Sequence, residues 1–245
     1  MTDSSASKST VSPSPRILPA RFLGVLFSPR ATYADVAARP RWLGIFALVV
    51  VLAGGATGGF MSTEVGQRAL LDQQISQSQA FGRTMSQAQL DAMERMAPYF
   101  VYVAPILQLV FFGFGGLVIA GIVVAVFNAA LGGDATFKQV FAVVSHSGVV
   151  LALGALFVLP LAYARESLSS ATTLGVFFPF LDESSFAARF LGGIDLIRTW
   201  WMISLAIGLG VLYRKRTGPI AMTFIFLYAA VAIVIAAIQS ALLGS

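Results

Sequence analysis

Residues 96–133 read MAPYFVYVAPILQLVFFGFGGLVIAGIVVAVFNAALGG, 38 positions without one charged side chain. About 20 apolar residues are enough for a helix to cross the roughly 30 Å hydrocarbon layer of a bilayer. This stretch therefore holds a whole transmembrane helix with its flanks, and the most apolar part places that helix at 101–127, where Pro105 is positioned to kink it.

Outward from it, the absence of charge marks four more spans, at about 42–63, 140–163, 190–213 and 219–243. The fourth carries Asp195 and Arg198 near its start. The uncharged residues 167–181 are too few and too polar to cross and are expected to form a loop or a shallow re-entrant piece. The composition agrees: 57% apolar residues, 11% charged residues and a mean hydropathy of +0.82 leave about half the charge that a soluble domain carries. The expected fold is thus an all-α polytopic membrane protein, a bundle of about five transmembrane helices over residues 42–245.

Before the first span, residues 1–15 are rich in Ser, Thr and Pro and are expected to be a disordered tail. No signal peptide is read there, because the first long apolar run starts only at Trp42. Residues 16–41 place Phe22, Leu23, Leu26 and Phe27 at helical spacing among arginines, the pattern of an amphipathic helix lying in the headgroup layer. Ser28-Pro29 should end that helix, and a second short one should stop before Pro40. The polar loop 64–97 contains TMSQAQLDAMERM, whose Ser86 and Gln89 have capping-box spacing and whose Leu90 and Met93, with Met96 or Ala97, make one apolar stripe. A short extracytoplasmic amphipathic helix follows.

The basic residues give an orientation. Lys8, Arg16, Arg21, Arg30, Arg39, Arg41, Lys138, Arg214, Lys215 and Arg216 fall on one side of the five spans, against Arg68, Arg83, Arg95, Arg165 and Arg189 on the other. The positive-inside rule then puts the N-terminus in the cytoplasm and the C-terminus outside a plasma (inner) membrane. The same asymmetry explains the formal charge of +5 without a nucleic-acid partner.

Chemistry is sparse. With no cysteine there is no disulfide, thiolate metal site or cysteine nucleophile. The single histidine, His146, cannot assemble a zinc site with other histidines or cysteines. Its neighbours Ser145 and Ser147 point about 100° away from it on a helix, so no serine hydrolase is read here. No cofactor or metal is expected. Polar residues at membrane depth are costly unless partnered, which makes Asp195, Arg198, His146 and Asn128 the candidate functional residues. Asp195 and Arg198, three apart, are expected to pair. Gly54 and Gly58, with Gly55 and Gly59, form a doubled G-x-x-x-G that should bring helices close together, within the bundle or between protomers.

Four segments together resemble the Yip (Ypt-interacting protein) domain family, especially its bacterial branch. They are FLGVLFSPRATYADVAARPRWLG (22–44), TMSQAQLDAMERM (84–96), GGDATFKQVFAVVSHSGVV (132–150) and FLGGIDLIRTWWMISLAIGLGVLYRK (190–215). The resemblance implies five spans with a cytoplasmic N-terminus, and in eukaryotic members a prenylated small GTPase as partner. Here the head is short for a GTPase-binding surface, and Val149 and Val150 stand where a proline would be expected. The functional expectation is a non-enzymatic membrane protein that organises or assists other membrane proteins or lipids, through self-association or contact with partners. The alternative is a small transporter or an accessory subunit of an export complex.

Overall fold

The computed structural model describes residues 17–168, 171–182 and 184–243; the expected tail at 1–15 lies outside them. Among the described residues ten α-helices follow in order: α1 (Leu18–Phe27), α2 (Pro29–Ala38), α3 (Leu43–Met61), α4 (Glu64–Ala80), α5 (Gln87–Met96), α6 (Phe100–Val124), α7 (Phe137–Ala164), α8 (Phe186–Gly193), α9 (Leu196–Leu212) and α10 (Thr217–Leu243). No strand is present among the described residues. The chain is an all-α polytopic membrane protein. Its α3, α6, α7 and α10 are long and apolar enough to cross a bilayer, and α9 is a shorter apolar helix of 17 residues.

α7 is the pillar. It packs against α3, α6, α9 and both N-terminal helices, and 61% of its most apolar stretch is buried, against 11% for α10. The lipid-facing character of α6 and α10 shows in Phe111 and Phe226, which stay 70% and 65% exposed. Close approach around the pillar is made by glycines: Gly208 of α9 lies against Val143 and the Tyr33 ring, Gly154 against Ile197, and Gly148 against Phe112. Pro105 does sit inside α6. Its missing N–H leaves the Val101 carbonyl without a helical donor, and that oxygen faces Gly58 of α3.

Three expectations change. The fourth span does not run unbroken from residue 190: the chain is extended at Ile194, and Asp195 begins a new helix as the N-cap of α9. Gly192-Gly193 ahead of Asp195 is a stop signal followed by a start signal. The loop 64–97 holds two helices rather than one, α4 being capped by Thr63, whose side chain accepts the Gly66 N–H. The N-terminal head forms α1 and α2, broken at Ser28-Pro29, but one face of it packs on the bundle. Ile17, Leu23 and Phe27 point outward, 53–83% exposed, while Arg21, Val25, Thr32, Tyr33 and Val36 are buried against the bundle. α5 has the expected capping box between Ser86 and Gln89.

Candidate functional site: a polar seam beneath the N-terminal head

α2 lies along α9 and α7, and the seam between them carries most of the buried polar groups. The Tyr33 hydroxyl and Ser204 Oγ are 2.7 Å apart, both buried. Ser204 is eight residues before the end of α9, so Tyr33 reaches about 12 Å up that helix. Arg21, only 4% exposed, donates from Nε to Asp35 Oδ2 at 2.8 Å and from a terminal nitrogen to the Arg39 carbonyl. Arg39 approaches the other Asp35 oxygen at 3.6 Å. One carboxylate thus neutralises a buried arginine, and the two helices close as a hairpin around it.

α7 holds the head from the other side. Thr136 and Gln139 form a capping box, and the Gln139 amide also donates to the Ala37 carbonyl at 3.1 Å. One side chain both starts the pillar and ties down the end of α2. Further along, His146 is fully buried and its Nδ1 lies 2.7 Å from the Ala142 carbonyl. A carbonyl only accepts, so Nδ1 carries the proton; Nε2 has no partner among the described residues. Ser145 and Ser147 donate to the Phe141 and Val144 carbonyls, and the Trp201 indole N–H donates to Ser147 Oγ at 3.0 Å. The three consecutive polar residues bind back to α7 and to α9 rather than to one another. Among the described residues no group of three His, Asp or Glu is placed to hold a metal ion.

Asp195 forms a second cluster. Its Oδ1 accepts the Arg198 backbone N–H at 2.9 Å and its Oδ2 the Thr172 hydroxyl at 2.7 Å. The Tyr228 hydroxyl of α10 accepts the Asp195 N–H and donates to the Gly193 carbonyl. Asp195 therefore ties the 171–182 loop, the α8/α9 break and α10 together. It does not meet the Arg198 guanidinium, which is exposed and has no ion pair among the described residues. An N-cap geometry turns the carboxylate towards backbone N–H groups, so i,i+3 spacing gives a cap here and not an ion pair. Asn128 stands in a π-helical turn (Ala125–Ala130) that ends α6, donating to the Ala135 carbonyl at 2.8 Å.

The four glycines of α3 divide between two faces. Added Cβ atoms at Gly54 and Gly58 would meet the Pro105 ring at 3.8 and 3.3 Å, whereas Gly55 and Gly59 have nothing within 4 Å. Leu43, Ala47, Val51, Gly55 and Gly59, four apart in sequence, form one exposed stripe.

The sequence signals for the seam were present but soft. Asp35 is the lone acid of a basic head, and Thr136-x-x-Gln139 has the same spacing as the Ser86 box. Tyr33 carries no local sign of its partner 171 residues away. No curated protein and no solved structure matches the chain. The Yip1 domain matches residues 23–238, from the middle of α1 to near the end of α10, and takes in both polar clusters apart from Arg21; the chain belongs to the Yip1 domain family.

Proposed function

We propose that this Yip1 domain protein is a non-enzymatic, five-span component of the plasma membrane, N-terminus in the cytoplasm, that organises neighbouring membrane proteins or copies of itself by lateral helix contact. The observation that carries it is the divided glycine pattern of α3. One G-x-x-x-G pair is used inside the bundle against Pro105, and the second, Gly55 and Gly59, faces outward in a stripe with Ala47 and Val51. Where lipid gives helices no hydrophobic reason to associate, small residues in register allow the close packing that holds them together. The α9 helix, the fourth of the five spans, is 17 residues long, about 26 Å. With Asp195 capping one end and Arg214 to Arg216 at the other, it can cross a locally thinned or shared layer.

Two variants separate the faces. Gly58→Leu should lower folded yield and thermal stability in detergent, because its neighbour Pro105 cannot move. Gly55→Leu with Gly59→Leu should leave both unchanged yet remove the proteins, or the second copy, that co-purify from native membrane. Co-purification surviving the double variant at wild-type level counts against the proposal.

A further inference from the structure

α10 packs chiefly on α9 and α8, and an apolar groove lies between it and α6. Near the α9/α10 turn the groove has a volume of about 450 Å³, walled by Val126 and Phe127 on one side and Ile220 and Phe224 on the other, with Lys215 and Arg216 at its end. It continues along α10 as a second cavity of about 340 Å³, floored by Met202 and Leu205 of α9 and reaching Val231. From Pro219 to Val231 the groove follows α10 for about 18 Å, close to one leaflet's share of the hydrocarbon layer.

The end of this groove is cationic. Arg30, Arg214, Lys215 and Arg216 line an adjoining cleft of about 510 Å³, and none of the four is in an ion pair among the described residues. Asp134 lines a neighbouring opening that it shares with Gln139, Tyr213, Arg214 and Lys215. The turn itself is a Schellman closure: the Lys215 N–H donates to the Gly210 carbonyl at 2.9 Å, and Arg214 takes the left-handed position at φ +53°. Glycine is the usual residue there. An arginine holds that position beside two further cations, and the first N–H groups of α10 add their positive end. Repelling charges are gathered at the mouth of an apolar slot that opens to the bilayer.

We propose that the groove between α6 and α10 holds an acyl chain of an anionic phospholipid, with its phosphate on Lys215 and Arg216 and with Arg30 and Arg214 beside it. Charge complementarity selects the headgroup and the slot selects the chain. The site lies away from the α3 stripe, so it goes beyond the function proposed above and stands or falls without it.

The test is native mass spectrometry of the detergent-purified full chain, titrated separately with phosphatidylglycerol, phosphatidylcholine and inorganic phosphate. Wild type should retain phosphatidylglycerol well above phosphatidylcholine, and inorganic phosphate should not displace it. Lys215→Ala with Arg216→Ala should weaken phosphatidylglycerol roughly 30-fold. Thr223→Trp, on the groove wall and with the cations intact, should also reduce it, with folding checked by an unchanged gel-filtration profile. Equal retention of the two lipids, an unaffected Lys215/Arg216 double variant, or displacement by phosphate alone would overturn the proposal. Full phosphatidylglycerol binding in Thr223→Trp would equally contradict it, since it would leave surface attraction without a slot.

Discussion

The hydroxyl of Tyr33, in a helix ahead of the first long span, lies 2.7 Å from Ser204 in the middle of α9. This contact makes the N-terminal head part of the bundle core. A buried hydrogen bond contributes about 1 kcal/mol net, and stranding one partner costs about 1–3 kcal/mol. Tyr33→Phe should therefore lower thermal stability in detergent. Adding Ser204→Ala should cause less further loss than Ser204→Ala alone, because the double variant strands no hydroxyl. Additive losses in this cycle would show that the two groups do not interact.

The Arg21–Asp35 pair is the buried ion pair of the molecule's described part, with side chains 5% and 15% exposed. Neutralising one member leaves the other charge uncompensated and should cost about 3–5 kcal/mol. Asp35→Asn alone should loosen the head, measured as faster proteolysis at 17–41, while Arg21→Gln with Asp35→Asn should be milder. A double variant worse than either single would contradict the pairing.

Asp195 acts as a cap and a tie. Asp195→Ala should cost about 1–2 kcal/mol for the lost cap, with a further loss from the Thr172 hydroxyl, and Asp195→Asn should retain most of the capping. Arg198→Gln should be nearly neutral. If a melting experiment finds Arg198→Gln as damaging as Asp195→Ala, the guanidinium has a structural partner after all.

The proposed orientation, N-terminus in the cytoplasm, rests on the charge count over the loops. Single cysteines at Ser5 and Thr217 should be shielded from an impermeant thiol reagent in intact cells, and those at Ser78 and Ser184 labelled. The chain has no native cysteine to confuse the signal. Labelling at position 5 would invert the topology.

The long spans were legible because a bilayer demands one thing of a helix, some 20 residues without charge, and stretches such as 96–133 satisfy it unmistakably. The Ser86–Gln89 capping box was equally readable from its spacing. The break before Asp195 was hidden because mean hydropathy stays high through Phe190–Leu191 and into α9, masking the Gly-Gly-Ile-Asp signal. Pairing also misled: three-residue spacing between Asp195 and Arg198 fits an ion pair on a continuous helix, and becomes a cap once the helix starts at the aspartate. The seam under the head was the least visible part. Its partners come from residues 21–39, 136–147 and 201–208, and nothing local in those segments announces that they meet. The two faces of the glycine motif likewise separate only when Pro105 is placed against one of them.

The organising role rests on the outward stripe of α3, and a photo-reactive side chain placed at Val51 tests it most directly. In native membrane, a cross-linker at Val51 should capture protein, either a second copy or a partner, and Gly55→Leu with Gly59→Leu should abolish the product. The same cross-linker at Phe111 of α6, equally exposed but outside the stripe, should capture lipid alone. Protein adducts of equal yield at both positions, or none at Val51, would contradict the account.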